Sequence, residues 1–509
     1  LLRSARNTLR LFRIARILAR HDALFLPLDA GWLAVPIATA RWLDRRRASG
    51  RPGERLARAL QEAGPTFIKL GQALSCRPDL VGDDIAADLS DLQDRVPPFP
   101  GEAAKRIVEE DLAQPLSALF RGFDIEPVAA ASIAQVHFAE TTEGRPVAVK
   151  VLRPGIKKAF QRDLDLLRWI AEILEATVSE ARRLKPVETV RTFADSVTFE
   201  MDLRFEAAAA SEFAENFRGD PTFRVPAVDW TRTSERVLTT ERVSGLPIDE
   251  PAALIAAGLD PKAVLANAAR AYFLQVFRDG LFHADLHPGN LFVQPDGAIV
   301  AVDFGIVGRL DMRNRRLIGE MLMAFLKRDY RRVAEIHFAA GWVPPDRSIA
   351  TFAQACRSIA EPILDKPVHE ISVAQLLGQL FRITATFGME TQPDLLLLQK
   401  SMLVAEGTGR ALCPEANFWM LARPMIADWM AKTLSPEAQL REAALALRDA
   451  VQQLPEALRR LDRAGRALAA LERTLTAPRT EAKSMARLPA SIVFLWFAVF
   501  TLLLVQLLS

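Results

Sequence analysis

The chain has 509 residues, half of them apolar, which is enough for two or three domains around a sizeable core. A formal net charge of +3, from 65 basic and 62 acidic residues, is too small for a dedicated nucleic-acid binder, whose basic surface dominates its charge balance. Three cysteines, Cys76, Cys356 and Cys413, stand far apart with no C-x-x-C, which excludes a disulfide framework and a zinc ribbon and fits a reducing compartment.

Residues 1–20 carry Arg3, Arg6, Arg10, Arg13, Arg16 and Arg20 at steps of three or four with no acidic residue, which predicts a basic amphipathic helix. Such a helix lies on an anionic membrane surface or presents a solvated face, and a remnant transit segment is a third reading. Residues 23–43 are apolar, but Pro27, Asp29, Gly31 and Pro36 interrupt them, so no spanning helix is predicted there. From Pro65 to Gly82 an apolar helical stretch holds Lys69-Leu70-Gly71-Gln72; a lone lysine in that setting is ordinarily a snorkelling surface residue. The prolines Pro97, Pro98 and Pro100 mark a boundary before the next domain.

Residues 129–150 read as strand, turn, strand. Laid on the kinase loop G-x-G-x-x-G-x-V, the glycine positions are Ala129, Ala131 and Ala134, with Val136 at the valine and Ala130 and Ser132 completing the loop. Each methyl disfavours positive φ and keeps backbone away from phosphates, so the loop should hold nucleotide differently from an ordinary kinase. Val147-Ala148-Val149-Lys150 then looks like the kinase strand whose lysine meets the α- and β-phosphates and pairs with a glutamate on a helix. Glu200 and Glu206 compete for that pairing, with Asp202 between them. On one helix, residues six apart point from different faces, and a solvated acidic face is the plain alternative. Leu238 to Gly245 has the form of a strand entering a hinge, and residues 261–280 are predicted helical.

Residues 281–305, LFHADLHPGNLFVQPDGAIVAVDFG, carry Asp285, Asn290 and Asp303 at offsets suited to a magnesium-bound nucleotide. Magnesium keeps several waters and takes one or two carboxylate or amide oxygens beside phosphate oxygens. Apolar runs on either side of Pro295-Asp296-Gly297 predict a β-hairpin that folds Asp303 back beside Asn290. His283 and His287 are four apart, as zinc ligands on a helix would be, but Pro288 and Gly289 argue for a loop. H-A-D-L-H-P-G-N followed by D-F-G resembles the protein-kinase catalytic loop and its metal-binding motif, with Ala284 where the arginine stands. From Asp303 through Val343 there is no Ser, no Thr and no A-P-E, so the segment that docks a peptide substrate is not recognisable.

K-L-G-Q upstream, together with the alanine loop, resembles the UbiB-like atypical kinases. That resemblance implies an α+β, two-lobed protein-kinase-like fold, a membrane association, and a role in making or distributing ubiquinone or related prenyl quinones. It implies that ATP or ADP with Mg²⁺ is bound, with Asn290 and Asp303 on the metal, Asp285 facing the acceptor, and Glu206 holding Lys150. It places Glu200 and Asp202 near Lys69, and Lys69 with Gln72 over the site where a protein substrate would sit. Its implied partners are membrane lipid, quinone precursors and the enzymes of ubiquinone biosynthesis.

Residues 313–430 are predicted helical, with Leu395 to Leu398 as core because Asp394 and Lys400 bracket them. Leu454, Leu458, Leu461, Leu468, Leu471 and Leu475 follow a heptad-like seam that packs on the domain or pairs with a second copy. Leu488 to Ser509 has no charged residue and reaches the ~20 residues a bilayer requires. Arg479, Lys483 and Arg487 before it predict a cytoplasmic catalytic domain, in a bacterium on the inner membrane. The family commonly ends in two spanning helices, and one is visible here. The predicted organisation is an extension over 1–100, an N-lobe over 101–245, a C-lobe over 246–435, a linker over 436–487 and an anchor over 488–509. Two functions of different class fit: an atypical kinase or ATPase acting on or gated by a lipid or small molecule, and a nucleotide-switched scaffold with incidental hydrolysis.

Overall fold

The structure, a computed structural model, describes residues 2–23, 49–75, 81–90, 92, 96–177, 185–364, 379, 387–389, 393–416 and 418–433. The heptad-like seam, the terminal span and nearly all of the interrupted apolar run after His21 lie outside the described residues. Among the described residues no helix is long and apolar enough to cross a membrane. Residues up to Lys432 form one compact unit.

Helices α1 (Leu2–Arg20), α2 (Pro52–Ala63), α3 (Pro65–Ser75) and α4 (Asp83–Ser90) make the N-terminal extension. Their apolar stripes meet, with Ile14 and Ile17 of α1 in one buried cluster with Leu56, Leu60, Phe67 and Leu89. The predicted basic helix is therefore present, and part of its charge is taken up internally. Arg6 reaches Asp165 at 2.8 Å, Arg10 reaches Asp163 at 2.8 Å, and Arg20 pairs with Glu62. Asp163 also accepts a hydrogen bond from Thr66 Oγ1 at 3.0 Å, which ties the first turn of α3 to the helix that carries Asp163.

Helices α5 (Gly101–Leu112) and α6 (Leu116–Leu119) lead into β1 (Phe120–Phe123), β2 (Ala129–Ala130), β3 (Ala134–Thr141) and β4 (Pro146–Leu152). After α7 (Ile156–Thr177), α8 (Pro186–Glu200), α9 (Leu203–Asn216) and β5 (Phe223–Arg224), strand β6 (Val237–Glu241) completes the first sheet. Its order is β1-β3-β4-β6 with β2 on β3, and register puts Lys150 opposite both Val136 and Leu238. Cross-strand partners share a face, so Lys150 and Val136 project to the same side. Glu200 and Glu206 do not share a helix, contrary to the single-helix reading. The chain breaks at Met201 and Asp202, ending α8 and starting α9, so the two acids are aimed independently.

The C-lobe follows with β7 (Leu246–Pro247), α10 (Pro251–Ala256), α11 (Pro261–Phe273), a π-helical turn over Leu274–Asp279, and β8 (Leu281–His283). Gly280 ends the π turn at φ 69°, where an added Cβ would lie 2.4 Å from the Leu310 carbonyl oxygen, so the backbone there needs glycine. The predicted hairpin is present as β9 (Leu291–Val293) and β10 (Ile299–Ala301), paired antiparallel with Leu291 opposite Ala301. It lies in a sheet of order β5-β10-β9-β7. β11 (Val307–Arg309) pairs with β8, and α12 (Met312–Leu326), α13 (Tyr330–Ala339), α14 (Ile349–Leu364), α15 (Pro393–Leu412) and α16 (Phe418–Thr433) complete the unit. Its core is built on fully buried rings including Tyr272, Phe277, Phe282, Phe325 and Phe352, each worth about 1.5–3 kcal/mol of burial.

Candidate functional site

The site lies where the face of β4 meets the segment between β8 and β11. Lys150 Nζ donates to both Glu206 carboxylate oxygens, at 2.9 and 3.0 Å, and lies 3.0 Å from Asp303 Oδ1. Burial disfavours the Lys150 ammonium, but Asp303 and Glu206 outweigh it and hold its pKa above the ordinary value. Burial pushes the Glu206 carboxyl up and nearby Asp303 adds to this, so despite Lys150 it reaches about 7. Burial would also raise Asp303, but Lys150 overrides it, with help from Lys69 and His283, and brings it down to about 2. One cation thus serves two carboxylates, and the less exposed of the two is the one left poorly compensated.

Asp303 adopts a left-handed backbone, φ 62°, which is costly without glycine and aims its carboxylate into the cleft. Phe304 behind it packs against Phe213 of α9 and His283, with ring centroids 5.0 and 5.2 Å away. His283 is fully buried; its Nδ1 accepts from the Asp285 amide at 3.1 Å while Nε2 donates to the Val302 carbonyl at 3.3 Å. Burial lowers its pKa, so the neutral ring clamps the two halves of the site together. With both nitrogens engaged by backbone it is no zinc ligand, and among the described residues no group of side chains is arranged to hold a metal by itself. His287 turns back onto its own loop, its Nδ1 accepting from the Gly289 amide at 3.2 Å. The Asn290 amide nitrogen donates to the Asp285 carbonyl at 3.1 Å, so its side-chain oxygen is the atom that could meet a cation. One amide oxygen and one carboxylate, completed by water and phosphate oxygens, would make a donor set that fits Mg²⁺.

The alanine loop is the turn between β2 and β3, closed by the Ala131 amide donating to the Ala134 carbonyl at 2.8 Å. No residue from Ala129 to Val136 has positive φ, so this backbone has no need of glycine. The loop is held from beneath: Arg153 donates to the Ala131 carbonyl from Nε at 3.0 Å and Nη2 at 2.8 Å. Ser132 is fully buried in the turn with its hydroxyl unpaired.

Lys69 of α3 is buried and lies 2.9 Å from Glu200 at the end of α8. Gly71 allows the close fit behind it, since a Cβ there would lie 2.8 Å from Leu60 and 2.9 Å from Leu92. Gln72 is half-buried on the same helix. Asp202 is not brought to Lys69. It caps α9 through the Arg204 amide and holds the Arg204 guanidinium at 2.7 and 2.9 Å, which lowers its pKa.

Two residues at the site escape motif reading. Arg153 stands three residues past Lys150, and a basic residue after a strand looks like ordinary surface. Lys400 of α15 lies 3.4 Å from Asp285 Oδ1, although the pair is 115 residues apart in sequence.

Two lobes meeting at a buried lysine–glutamate pair, beside a carboxylate-bearing loop and a left-handed aspartate, define an atypical kinase-like protein. The comparisons agree. Residues 91–337 match the family model for the ABC1 atypical kinase-like domain, and residues 356–417 that for the UbiB helical domain. A protein of Marinobacter nauticus named "Probable protein kinase UbiB" is 44% identical over 85% of this chain and 80% of its own length. One of the same name from Azotobacter vinelandii is also 44% identical, over 85% of this chain and 82% of its own. Among solved structures, the complex of Rv3197 with erythromycin from Mycobacterium tuberculosis is similar with a TM-score of 0.51 at 25% identity, covering 77% of this chain and 98% of that one. The chain belongs to the UbiB family of atypical kinase-like proteins.

Proposed function

We propose that the chain is a Mg-ATP-dependent phosphoryl-transfer enzyme, an atypical kinase or ATPase, that supports ubiquinone synthesis or distribution at a bacterial inner membrane. The observation that carries the reading is Lys150 held at 2.9 and 3.0 Å by Glu206 and at 3.0 Å by Asp303, across the cleft from Asp285. Asn290 and Asp303 would hold Mg²⁺, which would supply charge neutralisation to the phosphates. Lys150 then leaves Asp303 for the α- and β-phosphates, with Glu206 keeping it in place. Asp285 accepts the proton of the attacking hydroxyl or water, and its loop is fixed by His283.

A small or lipid acceptor is favoured over a peptide. Residues 306–311 alone join the Asp303 motif to α12, and that stretch is largely taken by β11 pairing with β8. Lys69 and α3 cover the neighbouring face through the buried Lys69–Glu200 pair. The uncharged stretch Leu488 to Ser509 would bring such a domain to the membrane, where quinone precursors and their enzymes are found. The test is ATP turnover by the full chain in phospholipid vesicles with Mg²⁺ and a phenolic quinone-precursor mimic. Asp303→Asn should abolish turnover; an unchanged rate in that variant ends the reading.

A further inference from the structure

Asp285 stands at the acceptor side of the site, and the cation that meets it comes from outside the catalytic loop. Lys400 Nζ approaches Asp285 Oδ1 at 3.4 Å, with the two side chains 25% and 37% exposed. A partly exposed pair at that distance contributes little to folding, about 0–1 kcal/mol, and is longer than a tight charge-assisted bond. The backbone that carries the ammonium is nevertheless held firmly in place. Its neighbour Ser401 is fully buried and hydrogen-bonded to the Tyr272 hydroxyl at 2.8 Å, and Leu398 and Met402 on either side are core residues. Helix α15 therefore delivers Lys400 to this spot by packing, and the loose contact with Asp285 leaves the charge free to move to a better partner. The loop itself has no lysine or arginine to offer between His283 and Asn290, and the Nδ1 of His287 is spent on the Gly289 amide.

We infer that Lys400 is a catalytic residue which contacts the phosphoryl group in flight. This inference rests on the phosphoryl-transfer reading above. As the acceptor oxygen bonds to the γ-phosphorus, the bond from that phosphorus to the β,γ-bridging oxygen breaks and ADP leaves with the electron pair. The acceptor proton passes to Asp285. Lys400 keeps its protons throughout, shifts from Asp285 Oδ1 to an equatorial phosphoryl oxygen, and stabilises charge that is greatest in the transition state. A lysine suits the task as a compact point charge on a flexible stem. The helical segment after the kinase-like domain thereby completes the site.

The experiment measures ATP hydrolysis by the full chain in phospholipid vesicles for the wild type, Asp303→Asn, Lys400→Met, Lys400→Arg and Lys400→Cys before and after alkylation with 2-bromoethylamine. With wild-type turnover that Asp303→Asn removes, Lys400→Met should lower kcat about 100-fold or more with KM for ATP unchanged. Lys400→Arg should retain an intermediate rate, and alkylation of Lys400→Cys, which restores an ammonium, should recover most of the loss. A structural role would instead lower the thermal midpoint and would not respond to alkylation. If Lys400→Met turns over within about twofold of wild type, or raises KM at unchanged kcat, the inference is overturned while the phosphoryl-transfer reading stands. If the wild type does not hydrolyse ATP, that reading fails and takes the inference with it.

Discussion

The sharpest prediction concerns Glu206→Gln, which should make the nucleotide-free protein more stable and the enzyme worse. The substitution keeps the side chain's shape and removes its charge. In the wild type the Glu206 carboxyl, one-tenth exposed, has its pKa pushed up from 4.5 to about 7 by burial and by Asp303. Between those values the folded state binds a proton that the unfolded state has already lost, so stability falls as pH rises from 4.5 to 7 and stays low above it. A shift of that size corresponds to about 3 kcal/mol. Removing the charge should recover a good part of this at pH 8, a gain of several degrees in thermal midpoint, and nothing at pH 4.5, where the wild-type carboxyl is already protonated. Lys150 stays paired in the variant because Asp303 remains at 3.0 Å. Once Mg²⁺ engages Asp303, however, Lys150 has no second partner, and kcat/KM should fall about 100-fold or more. The assay is thermal unfolding in EDTA at both pH values beside turnover with Mg-ATP. A variant less stable than wild type at pH 8 would refute the reasoning, because the carboxylate would then be a net contributor to the fold.

Two further predictions follow from the same geometry. Ala131→Gly removes a methyl from a loop already without positive φ, so nucleotide should bind several-fold tighter as backbone approaches phosphate, at a stability cost of about 0.5–1 kcal/mol; titration of ATP and ADP against both proteins tests it. Burial lowers the His337 imidazole to about 4, while its hydrogen bond to the Val333 carbonyl at 2.7 Å persists. The unfolded ring gains a proton below about 6.5 and the folded ring does not until about 4, so stability is lost as pH falls through that window, by about 3 kcal/mol. His337→Leu should flatten acid unfolding over pH 6.5 to 4, read by tryptophan fluorescence; an unchanged slope contradicts the assignment.

What the sequence revealed, it revealed locally. The hairpin from Leu291 to Ala301 and the catalytic loop are legible because turn chemistry and strand alternation act over a few residues. Lys150 is legible because a lysine ending an apolar strand must have a buried reason to be there. The break between Glu200 and Glu206 is not marked by glycine or proline: Asp202 makes it by capping α9, and a capping aspartate looks the same as an acid on a helix face. That is also why Asp202, grouped with Lys69 by resemblance, turns out to belong to Arg204. In the sequence Lys400 is only one of two charges that bracket an apolar run, since nothing within its own helix tells that α15 packs beside the catalytic loop. Contacts between residues so far apart are set by tertiary packing, to which local pattern is blind.

The two hydrogen bonds from Arg153 to the Ala131 carbonyl also bear on how fast the site empties. A glycine loop rises and falls over its nucleotide and lets product out by lifting. Here the corresponding turn is tied to the Arg153 guanidinium, and alanine in place of glycine stiffens it further. In the proposed nucleotide site this turn would therefore act as a fixed wall and not as a moving flap.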